Sequence, residues 1–213
     1  MVILVRNESF KEFITLYPIT TIIVFLNTIM FLYTSLIGGL TKPEILYDLG
    51  GISLEYIQKN EYYRLILSAF IHDGFMHFII NIGLIIITAP PIESMLKKIS
   101  YLIFFLLTVL GCSFLVVLFN GDVGVGSSGF GYGILGFYLA LIIFRKDIID
   151  KESRIIILLI TSAGMILSII NENISLLGHI GGFGAGFLYS LIFQLTYFRK
   201  NISRNITKNN RRV

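Results

Sequence analysis

Two neighbouring serines stand in one glycine-rich run of the chain, and a histidine stands in another. Ser127 and Ser128 lie in GVGSSGFGYGILGF, residues 124–137, and His179 lies in GHIGGFGAGF. A serine hydroxyl becomes an effective nucleophile when a base accepts its proton, and histidine is the natural base near neutral pH. If the two runs pack together, one serine and His179 can attack a carbonyl group.

Attack on an amide also requires hydrogen-bond donors for the oxyanion that forms. His77 and Asn81 are four residues apart, so on a helix they share one face. The backbone N–H of Ser128 is a third candidate donor, because N–H groups at the start of a helix lack internal partners. Asp73 is the sole acidic residue in this outer region of the spans, so a Ser–His dyad without an orienting carboxylate is the simplest scheme.

Two other interpretations of these residues remain open. Serine and glycine also pack transmembrane helices, and neither serine fits the G-x-S-x-G turn of soluble hydrolases. His72, His77 and His179 could be metal ligands, but the five-residue spacing of the first two places them about 140° apart on a helix. With no thiolate or well-placed glutamate nearby, we expect neither a metal nor another cofactor.

The composition is that of a membrane protein. Of 213 residues, 55% are hydrophobic and 14% are charged, with a mean hydropathy of +0.82, whereas a soluble domain has about 25% charged residues. Six apolar stretches approach the ~20 residues that cross a bilayer. They cover residues 18–38, 68–90, 101–119, 127–144, 154–170 and 176–196. The predicted fold is an all-α polytopic membrane protein with a six-helix bundle.

The basic residues predict the orientation of the spans. Of 17 Lys and Arg residues, 14 fall in the N-terminal segment, the loops 91–100 and 145–154, and the tail. Lysine and arginine favour the cytoplasmic side, so both termini are predicted to be cytoplasmic. The basic tail is then a membrane anchor rather than a nucleic-acid site. We predict a cytoplasmic segment 1–17, a catalytic domain 18–198 and a cytoplasmic tail 199–213.

The unusual polar residues gather at one depth of the predicted bundle. They occupy the outer halves of spans 2, 4 and 6, namely His72, His77, Asn81, Ser127, Ser128 and His179. Ionisable residues inside a membrane span are costly and usually functional. Gly182 and Gly186 share the helix face of His179, and small residues there allow another helix to approach closely. Three helices therefore predict one site, facing the extracellular side.

These motifs resemble those of the rhomboid intramembrane serine proteases, from about Arg64 to Gly186. HDGFMHFIIN resembles the family's H-x4-H-x3-N, GSSG its G-x-S-G, and GHIGGFGAG its H-x2-G-x3-G. The resemblance implies that Ser128 is the nucleophile and His179 the base, with His77, Asn81 and the Ser128 amide forming the oxyanion hole. It implies supporting roles for Tyr132, Gly126, Gly129, His72, Gly182 and Gly186.

The resemblance also implies a partly membrane-embedded 40–67 loop, with span 5 and the 171–175 loop serving as gate and cap. Tyr63-Arg64 stands where the family usually has Trp-Arg, and Glu93 where it often has a structural glutamate. The expected partners are transmembrane protein substrates and the lipid bilayer, in a bacterial plasma membrane. The alternatives are an inactive rhomboid-like protein that binds transmembrane helices, and a small transporter or proton channel.

Overall fold

The fold consists of long apolar helices joined by short polar segments. The structure is a computed structural model and describes residues 4, 6–39, 41–119, 123–171 and 174–209, with the side chains of 43 and 197–209 outside that description. Within these residues there are ten α-helices. They are α1 (Phe10–Leu16), α2 (Pro18–Leu36), α3 (Pro43–Gly50), α4 (Leu54–Gln58), α5 (Arg64–Leu67), α6 (Phe75–Leu96), α7 (Lys98–Leu118), α8 (Ser128–Phe144), α9 (Lys151–Ile170) and α10 (Leu176–Asn209).

The predicted membrane architecture is confirmed. Five helices, α2, α6, α7, α9 and the first part of α10, are long and apolar enough to cross a bilayer, and α8 is a shorter apolar helix of 17 residues. A helix satisfies its own backbone hydrogen bonds, which is what the interior of a bilayer requires. The protein is therefore an integral membrane protein with a rhomboid-like helical bundle. The predicted boundaries 1–17, 18–198 and 199–213 stay predictions.

The start of the second span differs from the sequence prediction of residues 68–90. Helix α6 begins only at Phe75, after Gly74 with a φ of +88°. Before it, Ser68–Phe70 form a short 3₁₀ helix and Ile71 is extended. His72 was predicted inside the span, and that placement is wrong, because the Gly74 turn separates His72 from the helix that carries His77.

Helix α6 also passes through two adjacent prolines, Pro90 and Pro91, on its way to Leu96. A proline ring nitrogen carries no hydrogen, so the carbonyl groups four residues earlier, at Ile86 and Ile87, lose their helical partners. The Arg6 guanidinium donates to both, at 2.9 Å from Ile86 O and 3.4 Å from Ile87 O. The N-terminal segment thus supplies hydrogen-bond donors to the carbonyl groups that the prolines leave without a helical partner.

A buried carboxylate joins the start of α2 to the last turns of α6. Glu93 is 4% exposed and accepts hydrogen bonds from the backbone N–H groups of Ile19 and Thr20, each at 2.9 Å, and from the Thr20 hydroxyl. These N–H groups lie in the first turn of α2, where they have no partner within the helix. The favourable position of a negative charge at a helix N-terminus explains why this glutamate is buried.

Helix α8 is the centre of the bundle, and most of its residues are buried. It packs directly on α10, because both helices carry glycine where they meet. A Cβ on Gly182 would overlap the carbonyl oxygen of Gly129, and a Cβ on Gly186 would overlap that of Gly133. The predicted close approach of these two spans is therefore present, and it brings the start of α8 beside the start of α10.

The loop from 41 to 67 is folded and held by one buried arginine. Arg64 is 3% exposed and donates to the carbonyl oxygens of Tyr47, Asp48 and Gly51 at the end of α3. Its Nε lies 2.6 Å from a carboxylate oxygen of Glu61. This hydrogen bond lowers the pKa of the Glu61 carboxyl. Arg64 therefore holds together a segment that has little apolar core of its own.

That loop in turn contacts the segment that leads into α8. Ile52 and Gly124 exchange two backbone hydrogen bonds of 2.9 and 2.8 Å, an isolated antiparallel bridge. Two residues later, the Gly126 N–H donates to the carbonyl oxygen of Ser68 at 2.9 Å. The approach to Ser128 is thus fixed by backbone hydrogen bonds on both sides.

Candidate active site

Ser128 is the first residue of α8 and is half-buried. Ser127 precedes it as the N-cap, and Gly126 before that has a φ of +117°. This left-handed conformation suits glycine, since it costs other residues free energy. The sharp turn at Gly126 sets Ser128 at the exposed start of a helix, where its N–H has no helical partner.

Ser128 lines a small open cavity at this end of the bundle. Its walls come from the 41–67 loop, from α7, from the segment before α8 and from the start of α10. The lining residues are Ile52, Ser68, Cys112, Val116, Gly124, Val125, Gly126, Ser128, Ser175 and Gly178. Gly178 directly precedes His179, so the cavity that Ser128 lines reaches the start of α10.

His179 is 7% exposed in the first turn of α10, and two contacts orient its ring. The ring stacks on Tyr132, with centroids 3.8 Å apart and planes 15° apart. Its Nδ1 lies 2.7 Å from the Ser168 hydroxyl on α9. The imidazole is therefore held by side chains from two other helices, with its Nδ1 edge engaged.

The two residues of the proposed dyad are not joined directly. Within the part of the chain that the structure describes, no hydrogen bond links the Ser128 hydroxyl to His179. Catalytic hydrogen bonds are often long before substrate binds, so proximity is the relevant observation here. Gly182 lies one turn after His179 and packs on Gly129, the residue that follows Ser128. The side chains of Ser128 and His179 therefore belong to helix turns that are in contact or directly next to such turns.

His77 and Asn81 lie on one face of α6, as predicted, and approach the segment before Ser128. A Cβ on Gly126 would lie 2.7 Å from both Cε1 and Nε2 of His77 and 3.8 Å from Nδ2 of Asn81. Asn81 Nδ2 uses one of its hydrogens to donate to the His77 carbonyl oxygen at 2.9 Å. Both side chains therefore border the turn that presents Ser128.

His72 and Ser127 form a second, fully buried Ser–His pair. Both are 0% exposed, and Nε2 of His72 lies 3.2 Å from the Ser127 hydroxyl. The His72 ring also packs edge-on against that of His77, with centroids 5.2 Å apart. Ser127 is thus engaged with His72 and is not among the residues that line the cavity, so of the two neighbouring serines it is Ser128 that lines it.

Sequence reasoning missed Ser168, although a signal was present. A polar residue inside a membrane span usually faces the protein interior, and Ser168 lies in α9, four residues after Gly164. A Cβ on Gly164 would overlap the Tyr132 hydroxyl, so this glycine makes room for the ring that stacks on His179. The resemblance to known motifs contains no residue of this span, which is why neither residue was selected.

The histidines do not assemble into a metal site. Among the described residues, no group of three or more His, Cys, Asp or Glu side chains could hold a metal ion. His179 instead contacts the Tyr132 ring and the Ser168 hydroxyl, and Nε2 of His72 contacts the Ser127 hydroxyl. The described residues thus include a serine at the start of α8, a histidine in the first turn of α10, and His77 and Asn81 beside the Gly126 turn.

Comparison with known proteins agrees with this fold. The chain is a helical membrane bundle with a serine at a helix start and a histidine on the neighbouring glycine-rich helix. The Rhomboid domain family matches residues 59–195. The chain belongs to the rhomboid family.

Two relatives come from Bacillus subtilis (strain 168). The chain is 32% identical over 194 residues to "Putative rhomboid protease YdcA", covering 88% of this chain and 94% of that protein. It is 27% identical over 170 residues to "Rhomboid protease GluP", covering 79% of this chain but 33% of that protein. A third relative, RHOMBOID-like protein 4 of Arabidopsis thaliana, is 27% identical over 150 residues, which is 69% of this chain and 38% of that protein.

Proposed function

We propose that this protein is an intramembrane serine protease that hydrolyses a peptide bond in or near a transmembrane segment of its substrate. One observation carries the proposal most directly. Ser128 lines the same cavity as Gly178, the neighbour of His179, at the point where α8 and α10 meet on glycine. Family membership and the protease names of the two bacterial relatives support the same reaction.

In the proposed reaction, Ser128 Oγ forms a bond to the carbonyl carbon of the substrate while His179 Nε2 accepts the serine proton. The carbonyl oxygen becomes an oxyanion. When this intermediate collapses, the C–N bond breaks and His179 returns the proton to the leaving amine. Water then attacks the acyl-enzyme with His179 again as the base, which releases the acid product and restores the Ser128 hydroxyl.

The proposed oxyanion hole consists of the His77 and Asn81 side chains and the Ser128 N–H. Its support is their common location around the Gly126 turn. Donors fixed before the reaction stabilise the developing charge without having to reorganise. The hydrogen bond that Asn81 Nδ2 donates to His77 O restricts the amide, and the edge-on contact with His72 restricts the His77 ring. No cofactor or metal has a part in this scheme.

The proposed substrate is a helix that can unwind locally. A peptide bond inside a membrane helix is hydrogen-bonded and shielded, so helix-weakening residues near the cut favour access. We assign the gate role to α9, and the cap role to the 171–175 loop, of which residues 172 and 173 lie outside the described part of the chain. The proposed orientation has both termini in the cytoplasm and the cavity toward the extracellular face.

Labelling with a fluorophosphonate, a reagent that modifies activated serines, tests this proposal. The purified protein in detergent should be modified at Ser128, as located by peptide mass mapping. The His179→Ala variant should lose the label and the Ser127→Ala variant should keep it. Labelling at Ser127 would show that the serine is assigned wrongly, and undiminished labelling in His179→Ala would show that His179 is not the base.

A further inference from the structure

We propose that Ser168 is the positioning residue of the site, which holds His179 in the tautomer that can act as a base. The role of Ser168 in catalysis rests on the proposed function, whereas its effect on the tautomer of His179 does not. Ser168 is 4% exposed on α9, and its hydroxyl lies 2.7 Å from Nδ1 of His179. In a neutral imidazole one nitrogen carries hydrogen and the other accepts, and the partner of Nδ1 decides which.

The hydrogen bonds of Ser168 determine the direction of that contact. Its hydroxyl has a single hydrogen and two acceptor sites. The hydrogen is directed to the carbonyl oxygen of Gly164, 2.8 Å away, which can only accept. The hydroxyl must therefore accept from His179, so the imidazole hydrogen is on Nδ1 and the Nε2 lone pair is free. Free Nε2 is what a base for the Ser128 proton needs.

The second acceptor site of Ser168 is also occupied. With the Ser168 hydrogen assigned to Gly164 O, the Tyr132 hydroxyl, 3.3 Å from the Ser168 hydroxyl, is assigned as the donor of this contact, while the Tyr132 ring stacks on His179. Gly164 supplies both the acceptor for the Ser168 hydrogen and the space for the Tyr132 hydroxyl. Ring plane and tautomer of the base are thus fixed by one connected set of four residues on three helices.

This arrangement makes α9 part of the catalytic geometry. Among the five membrane-length helices, α9 has the smallest buried share, 17% of its most apolar window. Its residues before Ser168 face mostly outward, yet Ser168 and Gly164 reach the base. A displacement of α9 that carried Ser168 away would leave Nδ1 without this acceptor. The base is therefore held in its active tautomer when this lightly packed helix is in place.

A serine in this position stabilises the protonated imidazole less than a carboxylate would. A neutral hydroxyl selects the tautomer but adds no charge to stabilise the imidazolium that forms during catalysis. Loss of a hydrogen bond to a group that becomes charged lowers a rate by roughly tenfold to a hundredfold. We therefore expect Ser168→Ala to lower kcat about tenfold to a hundredfold, with KM nearly unchanged because Ser168 is buried.

Two further variants separate positioning from packing. Ser168→Thr retains the hydroxyl and should recover most of the activity. Thr161→Val is the matched control, since the Thr161 hydroxyl makes the same type of bond within α9, to Ile157 O at 2.7 Å, and is not among the described contacts of His179. It should leave kcat and the fold unchanged. Circular dichroism and thermal unfolding check that all variants are folded.

The tautomer can be measured without any substrate. The chain has three histidines, so the ¹⁵N spectrum of a histidine-labelled sample at mildly alkaline pH is simple, and His72→Asn and His77→Asn variants assign it. The His179 signal should show hydrogen on Nδ1 in the wild type, in Ser168→Thr and in Thr161→Val. It should become a mixture of tautomers in Ser168→Ala.

Each outcome decides the inference. A tautomer change in Ser168→Ala that Ser168→Thr reverses supports it, even if the protein proves to cut nothing and the proposed function fails. An unchanged tautomer in Ser168→Ala overturns it, whether or not activity falls, because the serine would then act through packing alone. Hydrogen on Nε2 in the wild type would overturn it as well.

Discussion

Tyr132 lies flat against the imidazole of His179, with ring centroids 3.8 Å apart. Removing the Tyr132 ring in Tyr132→Ala leaves His179 free to rotate, and we expect kcat to fall about tenfold or more, since loss of positioning costs rate. Tyr132→Phe keeps the stack and loses only the 3.3 Å bond to Ser168, so its kcat should stay within about threefold of wild type. Steady-state cleavage of a single-span reporter measures both, and equal loss in the two variants would contradict the stacking role.

Gly126 allows the turn that presents Ser128 to lie against the His77 ring. In Gly126→Ala the new Cβ would meet His77 Nε2 at 2.7 Å, at a φ of +117° that alanine rarely adopts. We expect His77 to be displaced and kcat/KM to fall about a hundredfold, as when an oxyanion donor is removed. Gly83→Ala, on the same helix as His77 with nothing within 4 Å, is the control and should cut normally. Normal cutting by Gly126→Ala would exclude His77 from the oxyanion hole.

Gly186 allows α10 to touch α8 backbone to backbone. A Cβ there would overlap the Gly133 carbonyl oxygen, and overpacking of this kind costs about 1–3 kcal/mol. For a chain of this size that corresponds to a fall in Tm of about 3–10 °C. Gly184→Ala is the matched control two residues away, because its Cβ would meet nothing within 4 Å. Thermal unfolding in detergent should give a lower Tm for Gly186→Ala than for Gly184→Ala. Equal Tm values for the two variants would contradict the packing account.

Arg6 supplies the hydrogen bonds that Pro90 and Pro91 cannot make. Arg6→Ala should lower the free energy of unfolding by about 1–3 kcal/mol, because it leaves the Ile86 and Ile87 carbonyl groups without their donor. A double-mutant cycle gives the sharper measurement. In a background with both prolines replaced by alanine, the helix satisfies these carbonyl groups itself, and Arg6→Ala should cost less. An equal cost in both backgrounds would mean that Arg6 acts elsewhere.

Much of the fold could be predicted from the sequence because a bilayer restricts the structures that can cross it. Apolar runs of sufficient length must be helices, and glycines on the face of His179 predicted the close contact with α8. The start of α6 was not accessible in the same way. Residues 68–90 are apolar enough overall to be taken as one span in spite of His72 and Asp73, and the left-handed Gly74 separates these two residues from the helix that begins at Phe75.

The candidate site was predicted less completely than the fold. Ser128, His179, His77 and Asn81 were selected, and the structure brings them to one end of the bundle. The contact between Ser168 and His179 could not be derived, because it depends on how α9 is rotated and on the space that Gly164 leaves. The pairing of Ser127 with His72 depends in the same way on tertiary structure, since the two residues are 55 positions apart.

The central claim is that Ser128 and His179 carry out the cleavage. Its most direct measurement is cleavage of a single-span reporter in liposomes by the wild type and by Ser128→Ala, His179→Ala and Ser127→Ala. We predict that Ser128→Ala and His179→Ala leave the reporter intact, while Ser127→Ala, which loses only the buried bond to His72, still cuts it at a reduced rate. Undiminished cleavage by Ser128→Ala, or an intact reporter with folded wild-type protein, would contradict the claim.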